Sequence, residues 1–194
     1  MIYIYDIEVF PNYFGVTFKN VKSKSIKNYI LYHSYQNEQN HKDDIDKLIA
    51  FLKTKKNKWL VGYNNKSFDN QILNYIYSNY ELQSIFSIEE RTKTIYNFML
   101  SIINEADTEY KYKLPFQSVD LMRVGNTQHK SLKLVAVNIN WPVVQDTPIK
   151  PEEIVKDEDI NEIYKYNLND VEITEKLYHV LKDDINVRWE VGQK

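Results

Sequence analysis

The first part of the chain alternates hydrophobic and polar positions in the way that strands of a sheet do. β-Branched and aromatic side chains dominate residues 2–8, and similar runs follow at residues 13–18 and 25–32. A tight turn through Pro11 and Asn12 separates the first two runs. This pattern predicts three consecutive strands that pair as an antiparallel meander.

The rest of the chain has the period of amphipathic helices, interrupted by two short apolar runs that are typical of buried strands. The pattern predicts helices at residues 43–53, 68–80, 88–106, 131–138 and 157–181, and strands at residues 59–63 and 116–121. Ser131 is the predicted N-cap of its helix. Irregular segments are predicted at residues 34–42, 140–151 and 189–194. The order of elements predicts one α/β domain over residues 1–194, a mixed sheet flanked by helices.

Composition excludes several classes of protein. The chain has no cysteine, which excludes disulfides and thiolate metal ligands, and no run near the roughly 18 apolar residues of a membrane span. No signal peptide precedes the first strand, and we expect a monomer in the cytoplasm. A net charge of −2 does not favour a general electrostatic nucleic-acid binder. The basic cluster at residues 53–58 is interpreted as a solvated helix end.

Two carboxylates, Asp6 and Glu8, stand two positions apart in the first predicted strand. Side chains at that spacing point to the same face of a sheet, so the two negative charges lie side by side. A hard divalent cation such as Mg²⁺ prefers carboxylate oxygens and would relieve their repulsion. The alternative is a strand that ends in a solvated turn at Pro11, and the pair alone does not decide between the two.

A third acid, Asp69, stands in the first turn of the predicted helix 68–80, after Asn64 and Phe68. An amide and an aromatic ring beside an anion could hold the end of a polynucleotide by hydrogen bonding and stacking. The alternative is helix capping, with Ser67 as the N-cap and Asp69 stabilised by the helix dipole.

A fourth acid, Asp170, follows Tyr166 by four residues on the predicted helix 157–181, so the two side chains project from one face. Leu168 and Val171 flank Asp170, which indicates that this acid lies near the buried side of the helix. A buried carboxylate needs a cation or hydrogen bonds. The alternative is a local pair between the tyrosine hydroxyl and an exposed aspartate.

The three motifs Asp-x-Glu, Asn-x₃-Phe-Asp and Tyr-x₃-Asp occur in that order along the chain. Together they resemble the 3′→5′ proofreading exonuclease domains of family B DNA polymerases, of the type with four acids and a tyrosine. The resemblance covers nearly the whole chain and implies a ribonuclease H-like fold. A related branch of the family has a histidine five residues before the last acid, where this chain has Lys165.

The resemblance implies that Asp6, Glu8, Asp69 and Asp170 hold two divalent cations, Mg²⁺ or Mn²⁺. Asp6 would be the ligand that both cations share. Glu8 and Asp170 would complete the site of the cation that activates water. Asp69 would hold the second cation, directly or through water.

The same resemblance implies a substrate and a reaction. Tyr166, with Glu8 as its partner, would orient the attacking water, and Asn64 and Phe68 would contact the 3′ end of single-stranded DNA. Hydrolysis of the terminal phosphodiester would release a nucleoside 5′-monophosphate. The resemblance further implies a polymerase domain in the same longer chain, of which this domain would be the N-terminal part.

Two other functions fit the same residues. One is a non-catalytic module that binds single-stranded nucleic acid, which the presence of all four acids disfavours. The other is an exoribonuclease, because no residue pattern reads a 2′-hydroxyl. The histidines offer no competing Ser-His-Asp arrangement and are interpreted as scattered surface residues: His33, His41, His129 and His179.

Overall fold

The computed structural model describes residues 1–54, 58–104, 117–124 and 130–192. Within these ranges one sheet contains β1 (Ile2–Phe10), β2 (Tyr13–Asn20), β3 (Ile26–Tyr32), β4 (Lys42–Asp43), β5 (Trp59–Gly62) and β6 (Gln117–Asp120). Its strand order is β4-β3-β2-β1-β5-β6. Each of the strands β1 to β3 pairs antiparallel with the next strand in the chain. On the other side of β1, β5 pairs parallel with β1 and β6 pairs parallel with β5. The predicted ribonuclease H-like mixed sheet, with its three-strand meander, is confirmed.

Helices flank this sheet. They are α1 (Ile45–Lys53), α2 (Asp69–Ser78), α3 (Tyr80–Gln83), α4 (Ile88–Asn104), α5 (Leu132–Asn138), α6 (Ile160–Val180) and α7 (Lys182–Gly192). The predicted cap of α5 is confirmed, because the Ser131 side chain accepts a hydrogen bond from the Leu134 N–H. No helix in the described ranges is long and apolar enough to cross a membrane.

Some predicted boundaries are wrong for identifiable reasons. Helix α1 begins at Ile45 rather than at residue 43, because Asp43 pairs with Leu31 in the sheet. The predicted helix 68–80 is divided at Asn79, and α7 replaces part of the predicted polar tail. Residues 105, 106 and 116 of the predicted elements lie outside the described residues.

The predicted solvated cluster 53–58 is wrong for Lys58, while residues 55–57 lie outside the described residues. The Lys58 side chain is buried, and its ammonium group lies 3.7 Å from the centroid of the Phe51 ring. It also donates a hydrogen bond to the Phe51 carbonyl. Burial lowers the pKa of Lys58 to about 8, because desolvation disfavours the charged form.

The alternation of β1 divides the hydrophobic core between the two faces of the sheet. Its odd-numbered residues pack into a large cluster with α1, α2 and α4: Tyr3, Tyr5, Ile7 and Val9. On the opposite face, Ile4 and Phe10 belong to two separate smaller clusters that include residues of α6. Asp6 and Glu8 occupy the same face between these two residues. Two acids therefore lie between apolar core residues on this face of the sheet, opposite α6.

Candidate metal centre

Strand β1 presents Asp6 and Glu8 toward α6 from a central position in the sheet. Asp6 lies opposite Thr17 of β2, and Glu8 lies opposite Gly15. Both acids are partly buried, and they replace the apolar side chains that a strand enclosed on both faces ordinarily carries. The alternative of a strand that ends in a solvated turn is therefore wrong, because both acids are partly buried and Asn12 of the turn is fully buried.

Helix α6 brings Asp170 to the same place. One carboxylate oxygen from each of Asp6, Glu8 and Asp170 lies within 4.8 Å of the other two. Asp170 is itself partly buried, so the alternative of an exposed aspartate is wrong. Three negatively charged groups converge here from two elements that are far apart in sequence.

Asp69 adjoins this group from a different side. It is the first residue of α2 and is only 5% exposed. Its carboxylate accepts hydrogen bonds from its own N–H and from the N–H of Ile7, the residue between the two acids of β1. Its negative charge raises the pKa of both Asp6 and Glu8. All four acids named from the sequence therefore interact electrostatically.

The pKa values of these acids are raised, because the acids are buried and lie close to one another. Burial, followed by the charges of Asp69, Glu8 and Asp170, raises the pKa of Asp6 well above its ordinary value. Burial and then the charges of Asp170 and Asp69 raise the pKa of Glu8 to about 8. Burial is also the largest cause that raises the pKa of Asp69 to about 7 and that of Asp170 to about 6. The group cannot be fully ionised at neutral pH without positive charge among its oxygens.

Asn167 is a member of the site that the sequence analysis missed. Its Nδ2 donates a hydrogen bond of 2.8 Å to Oδ2 of Asp6, and the residue is only 3% exposed. Its Oδ1 is buried and has no hydrogen-bond partner among the described residues. A carbonyl oxygen in that state, next to carboxylates, fits an environment that receives a hydrated hard cation. The spacing of three residues places Asn167 on the same side of α6 as Asp170, but it does not predict the contact with Asp6.

Tyr166 lies one turn from Asp170 on α6, and the two side chains are hydrogen bonded. Burial, followed by the negative charges of Asp170 and Glu8, raises the pKa of the Tyr166 hydroxyl. The hydroxyl therefore keeps its proton and donates a hydrogen bond to Asp170. Glu8, which the resemblance makes the partner of Tyr166, contributes to the same environment through its charge.

A positive charge also adjoins the site from α5. Lys133 opposes the rise in the pKa of Asp170 that burial causes. Its ammonium group is paired with Asp146, which is highly exposed. This lysine was not identified from the sequence, because nothing in its spacing relates α5 to the acids.

The two predicted substrate contacts lie on the turn between β5 and α2. Asn64 has a φ of 56°, in the left-handed region, and Phe68 is partly buried against the large core cluster. The alternative role of Ser67 as an N-cap is wrong, because Phe68 precedes the helix and no side chain caps it. The side chain of Ser67 instead accepts a hydrogen bond of 3.4 Å from Arg123.

The histidines are less scattered than the sequence indicated. The rings of His33 and His41 have centroids 4.7 Å apart, and both residues are partly buried. His179 is exposed, and His129 lies outside the described residues. The interpretation of His33 and His41 as separate surface residues is therefore wrong, because strand β4 turns the chain back beside β3.

Comparison with known proteins does not assign a function to this chain. The sequence matches no protein-family model and no curated protein. Among solved structures, the crystal structure of E. coli exonuclease I in complex with a dA16 oligonucleotide is similar over 94% of this chain, with 13% identity and a TM-score of 0.38. This chain spans 41% of the length of that protein. A similarity of that degree assigns no activity.

Proposed function

We propose that this protein is a metal-dependent 3′→5′ exonuclease that hydrolyses the terminal phosphodiester of single-stranded DNA. The observation that carries the proposal is the convergence of Asp6, Glu8 and Asp170 within 4.8 Å, with Asp69 adjoining them. Such a group is costly to bury, because like charges raise one another's pKa values. A site for divalent cations accounts for such a group, because bound cations would offset the repulsion between the carboxylates.

The donor set fits Mg²⁺ or Mn²⁺. Carboxylate and amide oxygens are hard ligands, and the donors described above are oxygen atoms of this kind, with no cysteine or histidine among them. Asp6 and Asp170 would hold the cations together with Glu8 and Asp69. Two bound cations would supply charge stabilisation for an in-line displacement at phosphorus and lower the pKa of the attacking water.

The residues of the chain would do the remaining work. Tyr166, held by its hydrogen bond to Asp170, would orient the attacking water. Asn64 and Phe68 would hold the terminal nucleotide by hydrogen bonding and stacking. Lys133 would offset the negative charge of the phosphate near Asp170.

The bond changes follow from this arrangement. The water oxygen forms a bond to the phosphorus of the last phosphodiester, and the bond from that phosphorus to the 3′-oxygen of the preceding nucleotide breaks. The 3′-oxygen takes up a proton and remains on the shortened strand. The terminal nucleotide leaves as a nucleoside 5′-monophosphate.

We also propose that this domain is the proofreading part of a longer family B DNA polymerase. Support comes from the order and spacing of the three motifs, which end at Glu8, Asp69 and Asp170. The resemblance of these motifs to those of the polymerase exonuclease domains supports the 3′→5′ polarity and DNA as the substrate.

A digestion assay with matched oligonucleotides tests the proposal. We expect a 5′-labelled single-stranded DNA of about 20 nucleotides to shorten stepwise from its 3′ end in Mg²⁺ or Mn²⁺, with release of nucleoside 5′-monophosphates, and to remain intact in EDTA. An RNA of the same sequence is expected to be digested much more slowly, and a DNA with a blocked 3′ end to resist.

Each other result has a distinct meaning. Equal or faster digestion of the RNA would identify an exoribonuclease. Tight binding of the DNA without digestion in any divalent metal would identify a binding module and contradict the proposal. Shortening from the 5′ end would retain a nuclease but overturn the polarity.

A further inference from the structure

A buried acid outside this group, Asp120, lies at the end of β6, and its side chain is only 1% exposed. Its Oδ1 accepts hydrogen bonds from the backbone N–H groups of Asn64, at 2.9 Å, and Met122, at 3.0 Å. Its Oδ2 accepts one from the N–H of Lys66, at 3.3 Å, and lies 3.5 Å from Nε of Arg123. Two of these backbone donors belong to the turn that carries Asn64 and Phe68.

The bonds to Asp120 hold this turn in an unusual backbone conformation. Asn64 has a positive φ, which a non-glycine residue adopts at a cost. The turn is also packed tightly, because a Cβ atom on Gly62 would lie 2.8 Å from Cβ of Asn65. Because one buried carboxylate already holds these backbone N–H groups, the turn loses little conformational freedom when a ligand binds. Asp120 therefore fixes the place of Asn64.

Asp69 is held by different contacts, although it follows the same turn. The Tyr5 hydroxyl donates a hydrogen bond of 2.6 Å to Oδ1 of Asn70, and Nδ2 of Asn70 donates one of 3.0 Å to Ser118. The carboxylate of Asp69 itself accepts the N–H of Ile7. Loss of Asp120 would therefore displace Asn64 while the start of α2 remains in place.

We propose that Asp120 is a positioning residue for the substrate, which holds the turn at Asn64 in register with the four acids. This inference rests on the proposed function. It predicts that the contact with the terminal nucleotide depends on Asp120, which acts on the cation site only through its charge near Asp69. A purely structural role would instead lower stability and leave substrate affinity unchanged.

A pair of matched variants separates these roles. Asp120→Ala removes the acceptor of the Asn64 and Lys66 N–H groups. Asn20→Ala removes a buried amide oxygen that likewise accepts from two backbone N–H groups, those of Lys22 and Ser23, at 3.0 and 2.9 Å. Asn20 pairs with Tyr3, at the other end of β1 from Glu8, and serves as the control.

We expect both alanine variants to melt at a lower temperature than wild type, while only Asp120→Ala raises KM for a single-stranded DNA substrate. The KM of Asp120→Ala is expected to rise about tenfold, which corresponds to about 1.4 kcal/mol, with kcat changed less than about threefold, because the turn at Asn64 loses a buried acceptor. Asp120→Asn keeps the oxygen that accepts from Asn64 and is expected to restore KM to within about threefold of wild type.

Hydrogen exchange and binding provide readouts that do not need turnover. The amides of Asn64 and Lys66 are expected to exchange faster in Asp120→Ala than in wild type or Asn20→Ala. Affinity for a fluorescein-labelled oligothymidine, measured by anisotropy in Ca²⁺, is expected to fall by the same factor as KM rises. Mn²⁺ affinity is expected to change less than DNA affinity, because Asp120 acts on the cation ligands only through its charge near Asp69.

Three outcomes would overturn the inference. They are an unchanged KM and DNA affinity in Asp120→Ala, an equal change in Asn20→Ala, or a loss confined to kcat and Mn²⁺ affinity. If wild type binds the oligothymidine without digesting it, the proposed function fails and the anisotropy series still tests Asp120. If wild type neither binds nor digests DNA, both fail together.

Discussion

Replacement of Asp6 or Asp170 by asparagine is expected to abolish metal-dependent DNA digestion while the protein remains folded. Each substitution keeps the shape of the side chain and removes one negative charge from the three carboxylates that lie within 4.8 Å. Stabilisation of charge by metal ions contributes several kcal/mol to such reactions, which corresponds to about 10³-fold in rate. We therefore expect kcat to fall by about 10³-fold or more in either variant, measured on 5′-labelled single-stranded DNA.

The matched control for this experiment is Glu172→Gln on the same helix. Glu172 is 38% exposed, pairs with Lys19 at 2.9 Å and is not one of the three carboxylates that lie within 4.8 Å of one another. The Glu172→Gln variant also loses one negative charge by a conservative substitution. Its activity is expected to remain within about twofold of wild type, because exposed ion pairs contribute little to stability. Digestion by Asp6→Asn or Asp170→Asn at the wild-type rate would contradict the mechanism.

The second large effect concerns stability in the absence of metal. Burial and mutual repulsion raise the pKa of Glu8 to about 8, that of Asp69 to about 7 and that of Asp170 to about 6. In the unfolded chain the same groups titrate near their ordinary values of about 4. Between about pH 4 and pH 8 the folded protein therefore binds more protons than the unfolded chain, and its stability falls as the pH rises.

Thermal melting in EDTA measures this effect. We expect the melting temperature of wild type to decrease by about 5 °C or more between pH 5 and pH 8, since each unit of pKa shift corresponds to about 1.4 kcal/mol. Mg²⁺ or Mn²⁺ is expected to reverse most of the decrease at pH 8, because a ligand that binds the folded state stabilises it.

Asp6→Asn provides the control for the pH dependence. It removes a carboxyl group whose pKa burial and the neighbouring charges raise well above its ordinary value, so in EDTA at pH 8 it is expected to melt at a higher temperature than wild type. Glu172→Gln is expected to keep the wild-type pH dependence. A melting temperature that is the same at pH 5 and pH 8 in EDTA, or that Asp6→Asn lowers at pH 8, would show that the carboxylates do not repel one another.

The sequence predicted the sheet well because its strands carry strong local signals. The alternation in β1 and the turn at Pro11 determine the meander, and the apolar run at β5 supplies the parallel strand. Local signals failed where tertiary contacts decide. Asp43 has a helical pattern but pairs with β3, and Asn79 divides a continuous helical pattern into two helices.

The acids of the candidate site could be named from the sequence, whereas the groups that support them could not. Asp6, Glu8, Asp69 and Asp170 belong to recognisable motifs. Asn167 and Asp120 do not, because their roles depend on contacts across the fold: a hydrogen bond from Asn167 to Asp6 and the bonds that Asp120 accepts from the turn at Asn64. Neither distance follows from a spacing in the chain.

Anomalous diffraction from crystals soaked in MnCl₂ tests most directly whether the four acids form a cation site. We expect strong manganese peaks bounded by the carboxylates of Asp6, Glu8, Asp69 and Asp170 in wild type, and their loss in Asp6→Asn. The absence of any peak among these carboxylates, at a Mn²⁺ concentration that saturates binding in solution, would contradict the assignment.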